Sequence, residues 1–165
     1  MKSVIFDLDL TLVDSSIAEQ ERRNRNWNKV YSLIPNFVVY KGLEVVFEYI
    51  RANDIKVCIV STAPEPYILK VVNYFHIPYH FIVDYYGAKP IKPHPAPMLK
   101  AIYLLEQSPI NVINFGDRVI DMQSGKAANI KSVGCLWGSN EKELLSTYSD
   151  FVIETPEKML PFFKN

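Results

Sequence analysis

Short, nearly continuous apolar runs recur along this chain, separated by helix-patterned segments, and that alternation restricts the fold more than any other feature. The runs are Val4-Ile5-Phe6, Lys56-Val57-Cys58-Ile59-Val60, Phe81-Ile82-Val83, Asn111-Val112-Ile113-Asn114-Phe115, Ser132-Val133-Gly134-Cys135-Leu136 and Phe151-Val152-Ile153. They are too short for helices and lack the polar alternation of a half-exposed sheet, so they read as parallel strands covered on both faces. Between them, Leu43, Val46, Phe47 and Ile50 recur at helical spacing, as do Ile68, Val71, Val72 and Phe75, and then Met98, Leu99, Ile102 and Leu105. The last two patterns open on prolines suited to a first helical turn. Strands and helices in this order predict an α/β fold, a doubly wound parallel sheet. No repeat, low-complexity tract or linker interrupts it, so residues 1–165 read as a single domain with room for a sizeable core.

Lys plus Arg and Asp plus Glu are 18 each in the 165 residues. Without a global basic field, nucleic-acid binding and membrane-surface binding are disfavoured. No stretch approaches a membrane span, and the apolar run before Asp7 is too short for a signal peptide, so a cytoplasmic location is expected. Cys58 and Cys135 each sit inside an apolar run, the setting of buried core thiols rather than of a disulfide or metal pair.

The chemistry-bearing residues fall at the carboxyl ends of the expected strands, where an open α/β sheet forms its ligand crevice. The first strand runs into Asp7-Leu8-Asp9-Leu10-Thr11, and strand alternation lets Asp7 and Asp9 share a face. Two carboxylates that close repel unless a cation or proton intervenes. The second strand ends in Ser61-Thr62, the fourth runs into Gly116-Asp117 with Asp121 a helical turn later, and Lys92 lies in a proline-stiffened loop. Clustered carboxylates suit a hard divalent cation such as Mg²⁺, while Lys92 and the Ser61 hydroxyl can hold phosphoryl oxygens from the other side. These are the parts that phosphoryl transfer requires.

In their order the motifs resemble the haloacid dehalogenase superfamily of hydrolases: Asp-x-Asp-x-Thr at Asp7, Asp9 and Thr11; the strand-end Ser61; the Lys92 of "KPHP"; and "GDRVID" with Asp117 and Asp121. The resemblance implies a Rossmann-like core and a Mg²⁺-dependent phosphatase acting on a phosphate monoester. In it, Asp7 is the nucleophile that becomes an aspartyl-phosphate, and Asp9 is the general acid and base. It also implies Mg²⁺ held by Asp7, the Asp9 backbone carbonyl and Asp117, with Asp121 behind them orienting a water. Ser61 and Lys92 would serve catalysis, and Thr11, Ser61, Thr62 and Lys92 would contact phosphate or substrate. Dehalogenases resembling this pattern lack the second Asp, so Asp9 points to phosphate chemistry. Phosphomutases usually carry a larger cap.

Departures from the pattern carry their own expectations. Leu10 stands where Gly is frequent, and since Leu resists positive φ the turn is expected to use ordinary backbone angles. Arg118 stands where Ser is frequent and reads as a surface charge in preference to a phosphate contact. Residues 15–41 are the available cap insert, a very small helical one, leaving an open site that a neighbouring copy in a homo-oligomer could cover. Arg22, Arg23, Asn24, Arg25 and Asn26 leave its helix without a broad apolar stripe. A solvated surface helix is the preferred reading over one whose Arg22, Arg23 and Arg25 meet an anionic substrate. His94 reads as a surface residue at a helix start, His76 and His80 lack partners for a zinc site, and Trp27 and Trp137 read as packing. The rival non-enzymatic readings are a phospho-accepting receiver domain and a silent binding protein of the same fold. The receiver's acceptor Asp after its third strand is missing, and every residue type that catalysis needs is present.

Overall fold

A computed structural model describes residues 3–164; residues 1, 2 and 165 of the expected single domain lie outside the described residues. Among the described residues eight strands are formed: β1 (Ser3–Phe6), β2 (Val13–Asp14), β3 (Val38–Val39), β4 (Lys56–Val60), β5 (Phe81–Val83), β6 (Val112–Gly116), β7 (Lys131–Cys135) and β8 (Phe151–Ile153). The helices are α1 (Glu19–Arg23), α2 (Trp27–Leu33), α3 (Leu43–Ala52), α4 (Glu65–Tyr74), α5 (Ala96–Leu105), α6 (Val119–Ala127), α7 (Lys142–Tyr148) and α8 (Leu160–Phe163).

Six strands make one parallel sheet in the order β5-β4-β1-β6-β7-β8, and each apolar run of the sequence supplies one of them. Successive side chains separate onto the two faces as strand alternation requires. Val4, Phe6, Val57, Ile59, Ile113 and Phe115 join the larger core under α3 and α4. Ile5, Cys58, Val60, Val83 and Val112 join a second core with Met98, Ala101 and Leu105 of α5. Both cysteines are buried free thiols, and burial pushes Cys58 up to about 12. The chain winds from central β1 outward to β4 and β5, then crosses to β6 on the other flank of β1. The crevice of an open α/β sheet forms at such a reversal.

Two details differ from the sequence reading. Leu99 of α5 is 50% exposed, and Ala101 takes the core-facing place expected of it. The packed row Met98, Ala101, Leu105 keeps the helical i, i+3, i+7 spacing, whereas Leu99 falls off that face. The second difference is Leu10, which adopts positive φ (65°) where ordinary angles were expected. The cause is a tight turn: Leu10 N–H donates to Val13 O at 2.8 Å, and Leu12 N–H donates to Leu8 O at 2.9 Å. Buried Leu8 and Leu12 anchor it on either side, and these contacts offset the roughly 1–2 kcal/mol that a left-handed Leu costs. Gly138 closes over the turn so tightly that a Cβ there would lie 1.8 Å from the Leu10 carbonyl oxygen.

After that turn β2 pairs antiparallel with β3 in a two-residue ribbon, which brackets the inserted segment at its base. The segment folds as α1, α2 and flanking 3-10 turns, with Val30, Ile34 and Phe37 anchored in the larger core. Among the described residues, no helix is long and apolar enough to cross a membrane.

Candidate active site

β1 continues its ladder one step past its last residue, with Asp7 N–H donating to Phe115 O at 3.0 Å. This fixes Asp7 between the ends of β4 and β6. At the end of β6, Gly116 lets Asp121 come back against the strand: a Cβ at 116 would lie 2.5 Å from the Asp121 side chain. The Asp121 carboxylate also accepts the Arg118 backbone N–H at 3.0 Å, tying off the first turn of α6. Carboxylate oxygens of Asp7, Asp117 and Asp121 thereby lie within 4.8 Å of one another, all three residues being buried or nearly so.

Lys92 supplies the nearest positive charge. Its Nζ donates to Asp121 at 2.6 Å, to Asp7 at 2.9 Å and to Val60 O at 2.9 Å, and its side chain is 2% exposed. Burial alone would lower the lysine, but Asp121 and Asp7 together outweigh it and raise it. Burial raises Asp7 to about 6, Lys92 holding it down and Asp121 pushing it further up. Asp117, buried and facing both other carboxylates, rises to about 9. One lysine does not balance three carboxylates, so the cluster has a standing demand for positive charge.

Thr11 does not face the cavity. Fully buried, it donates its hydroxyl to Asp117 at 2.9 Å, while its carbonyl accepts the Trp137 Nε1–H at 3.0 Å. Its hydroxyl is thus committed to Asp117, where the sequence reading expects a phosphate or substrate contact. Ser61 and Thr62 do line the cavity; the Ser61 Oγ accepts the Ala63 N–H at 3.1 Å. His94 caps the start of α5 by accepting Ala96 N–H.

Asp9 behaves differently from its neighbours. Its carboxylate stands apart from the cluster, and among the described residues its side-chain donors converge on Oδ1: the hydroxyls of Ser15 and Tyr67, and the guanidinium of Arg22 at 2.7 Å. The Arg22 side chain is 15% exposed, which overturns the solvated-surface reading of this helix at the residue that matters most. Ser15 and Tyr67 were not singled out from sequence. Tyr67 lies one turn into a helix whose other apolar residues build core, and nothing local distinguishes it.

Asp7, Asp9, Lys92, Asp117 and Asp121 border a cavity of about 560 Å³. Arg22, Arg23, Arg25 and Trp27 of the insert line it, as does Arg118. Trp27, read from sequence as packing, does pack on Tyr67 and Tyr31, and its edge also borders the cavity. The loop after β5 completes the wall: Asp84 accepts the Glu65 N–H at the start of α4, and Tyr85 N–H bonds Ala63 O.

A family model described as haloacid dehalogenase-like hydrolase matches residues 18–135. The chain belongs to that family. Among relatives, a phosphoglycolate phosphatase of Aquifex aeolicus is 27% identical over 130 residues, which are 76% of this chain and 59% of the relative. A pyrophosphatase of Anoxybacillus flavithermus is 37% identical over 70 residues, 42% of this chain and 33% of the relative. The chain thus spans less than two thirds of the length of these curated relatives. The fold is shared with a solved β-phosphoglucomutase of Clostridium difficile, at TM-score 0.79 and 20% identity over 99% of this chain and 96% of that one.

Proposed function

We propose that this chain is a Mg²⁺-dependent phosphatase that hydrolyses a phosphate monoester through an aspartyl-phosphate on Asp7. One observation carries the reading: a buried, undercompensated carboxylate cluster with Lys92 lies at the floor of a solvent-open cavity. An all-oxygen donor set suits a hard divalent cation, and the raised Asp7 and Asp117 would gain most from its charge. Asp7, Asp117 and the Asp9 backbone carbonyl would hold the ion, with Asp121 fixed behind them by Lys92 and the Arg118 N–H. When bound, the ion would supply neutralisation of charge on the phosphoryl oxygens.

An Asp7 carboxylate oxygen attacks phosphorus, and the bond from phosphorus to the ester oxygen breaks. Asp9 gives its proton to that departing oxygen, so the product leaves as a neutral alcohol. In the second half, Asp9 takes a proton from water as that water attacks phosphorus. The phosphorus–Asp7 bond breaks, inorganic phosphate leaves and Asp7 is regenerated. With Ser15, Arg22 and Tyr67 all bonded to Oδ1 of Asp9, its Oδ2 is the oxygen left to exchange the proton. Lys92 orients Asp7, and the Ser61 hydroxyl and Thr62 face the transferred group.

The segment from residue 15 to residue 41 acts as a reduced cap, since Arg22, Arg25 and Trp27 bring it to the cavity wall. Phosphate release from a panel of phosphate esters, with Mg²⁺ or with EDTA, tests the proposal. Wild type should turn over only with the metal, and Asp7→Asn should lose turnover while keeping its far-UV spectrum. Equal hydrolysis by wild type and Asp7→Asn would remove Asp7 as nucleophile.

A further inference from the structure

We infer that the substrate carries a second anionic group besides its phosphate, and that Arg25 and Arg118 at the cavity wall recognise it; the inference rests on the phosphatase reading. Of the four cavity-lining arginines, Arg22 is bound to Asp9 at 2.7 Å and Arg23 to Glu19. Arg25 and Arg118 are exposed, and among the described residues neither has an ion-pair partner. They come from different elements, one from the α1–α2 turn of the insert and one from the start of α6. The backbone of each is fixed: Arg25 N–H donates to Arg22 O at 3.0 Å, and Arg118 N–H donates to Asp121 at 3.0 Å.

The conformation of Arg25 adds to the argument. Its φ is 55°, at a helix-ending position that favours Gly and tolerates Asn. Asn24 and Asn26 flank it, yet the strained position holds an arginine, whose side chain lines the cavity. Of the carboxylates on the same wall, Glu19 is already paired with Arg23, and Glu141 is held against the Val119 N–H and forms no ion pair with either arginine. A cavity of about 560 Å³ is of small-molecule size, leaving space beyond a phosphoryl group. Two free guanidiniums on that wall fit a carboxylate or a second phosphate, since both accept paired N–H donors in one plane.

The test uses phosphate esters of equal chain length ending in a hydroxyl, a carboxylate or a second phosphate, assayed with Mg²⁺. Wild type is compared with the Arg25→Gln/Arg118→Gln double variant. Each protein's kcat/KM on the anionic esters is divided by its own value on the hydroxyl ester, so a general loss of folding or activity cancels. Wild type should favour at least one anionic tail by about tenfold or more, mainly through KM, and the larger ratio names the anion. In the double variant the ratio should fall to within about twofold of one. Equal rates on all tails in wild type, or a preference that survives in the double variant, would overturn the inference. Silence of wild type on every ester rejects the phosphatase reading instead. Calorimetric binding of the corresponding phosphonates then decides: tail-dependent affinity lost in the double variant upholds the inference, and tail-independent affinity overturns it.

Discussion

Replacing Lys92 by Met removes the ammonium that faces the carboxylate cluster while keeping most of its aliphatic volume. The lysine side chain is 2% exposed, and its partners Asp7 and Asp121 are 12% and 1% exposed. Removing one member of a buried pair leaves an uncompensated buried charge, at a cost of about 3–5 kcal/mol. For a domain of this size each kcal/mol moves Tm by roughly 2–4 °C, so the metal-free variant should melt roughly 6–20 °C below wild type at pH 8. Two conditions should shrink that gap. At pH 5 protonation of Asp7, whose titration already lies near 6, removes part of the exposed charge conflict. Millimolar Mg²⁺ at pH 8 should restore stability without restoring turnover, since the ion replaces missing charge but not the positioning of Asp7. Thermal melts followed by circular dichroism at both pH values, with Mg²⁺ and with EDTA, read all of this. A metal-free variant within about 2 °C of wild type at pH 8 would refute the view that Lys92 balances this cluster, because the loss would then fall below about 1 kcal/mol.

The wild-type metal-free protein should itself lose stability with rising pH. Asp7 and Asp117 titrate in the folded chain near 6 and 9, above the ordinary 3.8, so the folded state holds more protons than the unfolded one across that window. Their contribution is therefore fully present below about pH 4 and is lost as pH rises through 6 and then 9. Urea midpoints should fall across this range in EDTA, and the stabilisation by Mg²⁺ should grow with pH; a metal-free midpoint that rose steadily from pH 5 to pH 9 would contradict the assignment. Tyr67→Phe removes one of the donors on Asp9 Oδ1 and should lower kcat more than it raises KM, by about three- to tenfold, the worth of one hydrogen bond; an unchanged kcat would release Tyr67 from any part in placing Asp9. Gly138→Ala forces a Cβ toward the Leu10 carbonyl, so it should destabilise by at least about 2 kcal/mol, and an unaltered denaturation midpoint would show that the turn can move aside.

The sheet was legible because its information is local. Val4 to Phe6 or Val57 to Val60 declare strand character within a few residues, and burial on both faces removes the polar alternation that would blur it. The carboxylate floor was legible for a related reason: Asp7, Asp117 and Lys92 stand at strand ends or in a loop, where an open parallel sheet gathers its chemistry. The environment of Asp9 was not legible. Its partner Tyr67 is 58 positions away, and Arg22, 13 positions away, sits among charged and amide residues that locally describe a solvated helix. What decides Arg22 is the ribbon of β2 and β3, which turns the insert back toward the site, and two-residue strands leave almost no periodic signal. Leu10 fails for the opposite reason. Leu intrinsically resists positive φ, but Gly138, 128 positions later, shapes the pocket that holds its carbonyl. A left-handed Leu is affordable once the turn's hydrogen bonds and buried Leu8 and Leu12 outweigh its strain. Local reading thus locates the strand-end groups, while the long-range contacts that fix Asp9 come from the folded insert and from α4 together.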